Sequence, residues 1–276
     1  MARILVFDSG VGGLTILSAI QKNIDIRQST HQWIFCSDNA FFPYGTKKDA
    51  ELIDRVTYVL RALQNQYQPD IIVLACNTAS TVALEAVRAK LRVPVVGVVP
   101  AIKPSAAVSQ SRCIGLLATP ATIARPYTQK LIDDFAPDCH FVRIGSSELV
   151  WMAEEHLRTG LVDHAQLYRI LAPFRDGIMH HNLDTVVLAC THFPLLRPAL
   201  REQLPEVKHW IDSGEGIAKR VAWCLQNEVD AKPTTGDPVS FALFTRLDNN
   251  AQQLARALSY FRLGEIRPLE LPLTDL

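Results

Sequence analysis

Short apolar, β-branched runs alternate along the chain with longer segments in which apolar residues recur every three or four positions. The first pattern predicts buried strands and the second amphipathic helices. Their alternation almost from end to end predicts parallel strands joined by helical crossovers, an α/β fold. Strands are expected near Ile4–Phe7, Trp33–Ser37, Ile71–Ala75, Val95–Val99, Ile114–Ala118, Phe141–Ile144, Val186–Ala189, Trp210–Ile211 and Phe241–Phe244. Helices are expected over Asp49–Gln66, Thr81–Leu91, Thr122–Phe135, Asp163–His180 and Glu215–Gln226. Pro94, Pro100 and Pro104 interrupt the pattern near the middle, where a crossing between domains is expected.

The pattern also repeats. Asp70-Ile71-Ile72-Val73-Leu74-Ala75-Cys76-Asn77-Thr78 is echoed by Asp184-Thr185-Val186-Val187-Leu188-Ala189-Cys190-Thr191-His192, with the cysteine in register. A weaker echo sets Ile4-Leu5-Val6-Phe7-Asp8-Ser9 against Ile114-Gly115-Leu116-Leu117-Ala118-Thr119. Two similar, pseudo-symmetric, doubly wound α/β domains account for both echoes. The expected division is a first domain over 1–97 with Cys76, a second over 98–207 with Cys190, and a segment 208–276 returning to the first. Ligands of open α/β sheets bind beyond the carboxyl ends of the strands, so each thiol is expected at the ligand-binding edge of its own domain. If the two edges face each other across an interdomain cleft, one ligand lies between two thiols.

Composition narrows the partner. Twenty-eight basic residues balance 28 acidic ones, so no global field attracts nucleic acid or an anionic membrane surface, and a small molecule is the expected partner. The apolar run Ile4–Phe7 is too short for a signal-peptide core, and no run approaches the ~20 residues of a membrane span. A cytoplasmic location is therefore expected, where the six cysteines would stay reduced; none shows C-x-x-C spacing.

Candidate chemistry gathers at the predicted strand ends. Asp8-Ser9-Gly10-Val11-Gly12-Gly13-Leu14 leaves a strand and enters a helix, where free N–H groups favour a carboxylate or phosphate. A dinucleotide reading is weak, because Thr15 stands where G-x-G-x-x-G from Gly10 needs glycine and no G-K-[ST] loop occurs. Pro43-Tyr44-Gly45 is a loop after a strand whose N–H groups can meet an anion on the same edge. Cys76-Asn77-Thr78 and Cys190-Thr191-His192 each put a thiol and then hydrogen-bonding side chains at a strand-to-helix junction, a setting that favours thiolate. His192 can exchange protons near neutral pH in the same place. Thr119-Pro120-Ala121-Thr122 offers two hydroxyls at another strand end, with helix capping by Thr122 as an equal reading. Cys36, Cys113, Cys139 and Cys224 read as core, and His180 and His181 as the end of a helix. Cys76, Cys190 and His192 have zinc-ligand chemistry, but no metal-like spacing supports a zinc site.

Taken in order, Asp8–Leu14, Pro43-Tyr44-Gly45, Cys76-Asn77-Thr78-Ala79-Ser80, Val98-Val99-Pro100-Ala101 and Cys190-Thr191-His192-Phe193-Pro194-Leu195-Leu196 resemble the glutamate racemase family, over residues 4 to about 215. The resemblance implies a two-domain α/β fold, no pyridoxal phosphate or metal, and interconversion of L- and D-glutamate for bacterial cell-wall synthesis, with a homodimer left open. It implies Cys76 as the base toward D-glutamate and Cys190 toward L-glutamate, assisted by Asp8 and His192. Ser9, Pro43, Tyr44, Gly45, Asn77, Thr78, Thr119, Thr122 and Thr191 match positions that hold substrate. Glu154 aligns with an auxiliary acid near the second thiol, and Glu148 competes for that place. Residues after about 230 match loosely and carry no expected chemistry.

Three other readings remain at this level. A racemase of aspartate or a related acid differs only in pocket size. A cysteine hydrolase or transferase using Cys190 as nucleophile and His192 as base leaves Cys76 unexplained. A two-lobed binder of acidic metabolites would bind without exchanging the α-proton.

Overall fold

The computed structural model describes residues 2–24, 31–229 and 239–271. Met1, residues 25–30, and residues 230–238 and 272–276 of the C-terminal segment lie outside them. The chain forms two compact units, one from Met1–Val98 and Gly214–Leu276, the other from Val99–Ser213.

Unit 1 opens with β1 (Arg3–Asp8), α1 (Gly13–Asn23), β2 (Gln32–Ser37), α2 (Asp49–Tyr67), β3 (Ile71–Leu74), α3 (Asn77–Lys90) and β4 (Val95–Gly97). Unit 2 carries α4 (Ile102–Val108), β5 (Cys113–Ala118), α5 (Pro120–Ala124), α6 (Pro126–Phe135), β6 (His140–Gly145), α7 (Glu148–Thr159), α8 (His164–Ile170), α9 (Ala172–His181), β7 (Thr185–Leu188), α10 (Arg197–Gln203) and β8 (His209–Ile211). The chain returns to unit 1 with α11 (Gly214–Asn227), β9 (Phe241–Phe244), α12 (Asn249–Gln253), α13 (Ala255–Tyr260) and β10 (Glu265–Pro268).

Both sheets pair their described strands in parallel, in the orders β10-β9-β2-β1-β3-β4 and β6-β5-β7-β8. The expected mixed α/β architecture with parallel sheets is thus observed. Strands β3 (IIVL) and β7 (TVVL) are buried at every position, which explains why their sequences show no alternation: a parallel sheet is covered on both faces. Each buried aliphatic side chain there stabilises by about 1.5–3 kcal/mol relative to exposure. Under the first sheet, Leu52, Val56, Val59, Leu60 and Leu63 of α2 meet Ile72 and Leu74 of β3 in one apolar cluster.

The sequence echo is a repeat of topology and register. The run β2-β1-β3-β4 in unit 1 has its counterpart β6-β5-β7-β8 in unit 2. Ile4 pairs with Ile71 as Ile114 pairs with Thr185. Just past the strands, Ala75 N–H donates to Phe7 O at 2.7 Å and Ala189 N–H to Leu117 O at 2.8 Å. The chain is therefore held at the same register one residue before each cysteine.

Several expected elements differ in detail. The helix expected over Thr122–Phe135 is two helices, because Arg125 precedes Pro126 and adopts an extended conformation. The helix expected over Asp163–His180 is likewise interrupted at Leu171, with Pro173 in the first turn of α9, where its missing N–H costs nothing. Helix α3 starts four residues before the expected Thr81, its first turn built from the buried polar Asn77, Thr78 and Ser80. The edge strand β10 is not signalled by Glu265-Ile266-Arg267-Pro268, which is exposed at its two ends, half-buried between them, and has no apolar run.

Candidate active site

The carboxyl edge of the first sheet gathers one set of groups. Asp8 ends β1 and is fully buried, and its Oδ1 accepts the Ser9 N–H at 2.6 Å and the Ser9 hydroxyl at 3.2 Å. Ser9 Oγ in turn lies 3.9 Å from Cys76 Sγ. Cys76 is the N-cap of the 14-residue helix α3, whose positive dipole end favours thiolate. Asn77 and Thr78, the next two residues, are also buried, and Asn77 Nδ2 has no hydrogen-bond partner among the described residues. A buried amide donor without a partner costs free energy unless something fills its place. Gly13 lets α1 approach this edge: a Cβ on it would sit 2.8 Å from Asp8 Cβ and 3.2 Å from the Phe35 ring.

Pro43-Tyr44-Gly45 lies on the same unit, with Tyr44–Thr46 forming a 3₁₀ turn rather than an open loop. The Tyr44 ring is buried, and its hydroxyl donates to Asp38 Oδ2 at 2.7 Å. Burial, then the Asp38 charge, pushes this phenol well above its ordinary pKa, so it stays a neutral donor. Arg55 of α2 grips the same carboxylate in bidentate fashion, Nε to Oδ2 at 2.9 Å and Nη2 to Oδ1 at 2.6 Å. Nothing in the sequence marks Asp38 and Arg55 as partners. They are 17 residues apart on different elements, and no local spacing marks them as a pair.

The corresponding edge of the second sheet is built differently around the same thiol position. Cys190 follows β7, but it leads into a 3₁₀ turn, Phe193–Leu196, instead of the α-helix expected there; Pro194 and Pro198 break the run. Helix-dipole support is thus weaker at Cys190 than at Cys76, and an imidazole takes its place. His192 Nδ1 lies 3.8 Å from Cys190 Sγ, and His192 Nε2 lies 2.8 Å from Glu154 Oε1. Burial alone would lower the pKa of this enclosed ring, but hydrogen bonds to Cys190 and Glu154 carry it well above its ordinary value. These contacts favour the protonated ring, which faces the Cys190 sulfur on one side and the Glu154 carboxyl group on the other.

Glu154 reaches His192 because α7 buries Leu149, Val150, Met152 and Ala153 and packs against the Phe193–Leu196 turn. Glu148, at the start of the same helix, instead accepts the Ser146 hydroxyl at 2.8 Å. Thr119 and Thr122 stand together at the end of β5, hydroxyls 3.0 Å apart, and Thr119 Oγ1 also accepts the Thr122 N–H, so here Thr119 is the cap. Thr191 is buried beside Cys190. Burial pushes up the thiols of Cys36, Cys113, Cys139 and Cys224, which leaves them poor nucleophiles at neutral pH. Among the described residues, no helix is long and apolar enough to cross a membrane.

The repeated strand-end thiols, each with its own acid/base neighbours, have counterparts of known kind. Residues 4–220 match the Asp/Glu/hydantoin racemase family model. The glutamate racemase of Actinobacillus pleuropneumoniae serotype 3 is 44% identical over 245 residues, 89% of each chain, and that of Shewanella loihica 50% identical over 225 residues, 82% of each. The crystal structure of Escherichia coli glutamate racemase in complex with L-glutamate and the activator UDP-MurNAc-Ala superposes with a TM-score of 0.91 at 42% identity, covering 98% of this chain and 99% of that one. Fold and sequence agree across almost the whole length, and the chain belongs to the glutamate racemase family, a family of isomerases.

Proposed function

We propose that the chain interconverts L- and D-glutamate by two-base proton transfer, with Cys76 and Cys190 serving opposite faces of the substrate α-carbon. The observation that carries this reading is the repeat: two thiols at the same register position past equivalent strands, one beside Asp8 and Ser9, the other beside His192 and Glu154. The E. coli relative holding L-glutamate supports glutamate as the substrate.

One thiolate removes the α-proton, leaving the electron pair on the α-carbon, and the opposing thiol delivers its own proton to the other face. The thiol and thiolate have then exchanged roles. Cys76 acts as base toward D-glutamate and Cys190 toward L-glutamate. The His192 imidazolium stabilises the Cys190 thiolate, and Glu154 stabilises the imidazolium. Asp8 serves the Cys76 side through Ser9. Developing carbanion charge is met by fixed donors from Ser9, Asn77, Thr78, Thr119, Thr122 and Thr191 and by the N–H groups of the Tyr44–Gly45 turn. The thiols supply both acid and base, so the scheme uses no metal or organic cofactor. The product, D-glutamate, would serve peptidoglycan synthesis in the cytoplasm.

The test is initial-rate mass spectrometry of the product from each enantiomer in D₂O. The product should carry solvent deuterium at the α-carbon, and Cys76→Ser and Cys190→Ser should each abolish most turnover, because an alcohol is far less acidic than a thiol of pKa ~8.5. Substantial retention of substrate hydrogen in the product would overturn the two-thiol assignment.

A further inference from the structure

Strand β9 and the residues after it lie beyond the matched family region, which ends at residue 220, yet they reach the first half-site. Strand β9 pairs with β2 from Ile34↔Phe241 to Ser37↔Phe244, and the ladder continues one step as Thr245 N–H donates to Ser37 O at 3.1 Å. Past that point the contacts change character. Thr245 Oγ1 donates to Asp38 Oδ1 at 2.8 Å and accepts the Ala40 N–H at 3.0 Å. Arg246 N–H donates to Asn39 Oδ1 at 2.9 Å, while Asn39 Nδ2 donates to Arg246 O at 2.7 Å. Asp38 holds the Tyr44 hydroxyl through its other oxygen.

We infer that Thr245 is a positioning residue for the substrate loop: its single hydroxyl joins the C-terminal segment to Ala40 directly and to Tyr44 through Asp38. The inference rests on the reading that the Pro43-Tyr44-Gly45 turn holds substrate. The β2–β9 ladder already fixes β9 without these bonds, so what they add is restraint on residues 38–44. Asp38 is the shared point: its buried carboxylate accepts from Tyr44, Arg55 and Thr245, groups on three separate parts of the chain. Valine at 245 would keep the shape while removing a donor to Asp38 and the acceptor for Ala40 N–H. The loop would then spend less time in its binding position, and apparent affinity falls in proportion to the populated fraction.

The experiment compares wild type, Thr245→Val, Thr245→Ser and, as a stability control in the same unit, Leu258→Val at a fully buried position of α13. KM and kcat for both enantiomers are measured beside Tm. Thr245→Val should raise KM about tenfold or more, from losing a hydrogen bond to the Asp38 carboxylate and the acceptor for Ala40 N–H, with kcat changed much less. Thr245→Ser should restore KM, and Leu258→Val should lower Tm while leaving KM unchanged. Wild-type KM in Thr245→Val, or the same KM change in both Thr245→Val and Leu258→Val, overturns the inference while leaving glutamate racemisation intact. A wild-type protein that does not turn over glutamate removes the underlying reading, and the inference with it.

Discussion

Asp184, the residue just before β7, offers a stability prediction whose size follows from the structure. Its Oδ1 accepts the hydroxyls of Ser109 and Thr185, both at 2.8 Å, and its Oδ2 accepts the backbone N–H groups of Gln110 and Ser111 at 2.8 and 2.9 Å. Burial works to raise its pKa, but these four donors outweigh it and hold the carboxyl at about 2, against an ordinary value of 3.8. That gap, at roughly 1.4 kcal/mol per pH unit, corresponds to about 2 kcal/mol of stability. Because the folded value is the lower one, the contribution is fully present above the unfolded value of 3.8 and is lost as pH falls through about 2. Asp184→Asn keeps one acceptor oxygen, and whichever way its amide turns, two of the four donors lose the carboxylate oxygen they faced. It should lower the urea-unfolding free energy by about 2 kcal/mol or more at pH 7, and its deficit relative to wild type should shrink below pH 4. Urea titrations of both proteins at pH 7, 5, 3 and 2 measure this. An equal stability at pH 7, or a deficit undiminished at pH 2, would refute the reasoning.

Three further outcomes follow from the half-sites. Glu154→Gln withdraws one of the contacts that raise the His192 pKa, so the imidazole should lose its proton at lower pH and the alkaline limb of α-proton exchange from L-glutamate should move down; an unmoved limb removes Glu154 from the scheme. Gly13→Ala should cost about 1–3 kcal/mol and depress turnover, because its new methyl must displace Asp8; urea unfolding with steady-state kinetics reads both, and wild-type values would show that α1 can yield at no cost. His192→Asn should slow isotope exchange from L-glutamate more than from D-glutamate, and equal slowing would contradict a role on the Cys190 side alone.

The features legible in the sequence were those written locally. Ile71–Leu74 and Thr185–Leu188 are wholly apolar or β-branched because both faces of a parallel strand are buried, and the cysteine that follows each run made the repeat visible. The choice between Glu148 and Glu154 was legible only through the family resemblance, which favoured Glu154: the two share one helix, and the packing of α7 against the Phe193–Leu196 turn brings the second, not the first, to His192. Asp38, Arg55 and Thr245 were out of reach for a stronger reason. Their bonds span 17 and 207 residues, and none of the three is unusual in its own neighbourhood. The difference in helix support at the two thiols was also hidden, since both sequences read as a strand end leading into a helix. The prolines that turn the chain after Cys190 were visible, but their consequence for the helix dipole was not.

The interrupted course of unit 1 along the chain bears on the order in which the molecule can be assembled during synthesis. Unit 2 is a continuous stretch, so all its strands are available once residue 213 has left the ribosome. The first sheet begins earlier and finishes last: β2 has its outer neighbour only when residues 241–244 emerge, and β9 has its own only with residues 265–268. Throughout the intervening synthesis β2 is an edge, its outward N–H and C=O groups open to solvent or to another chain. The part of the chain made first therefore completes its fold only after the part made second.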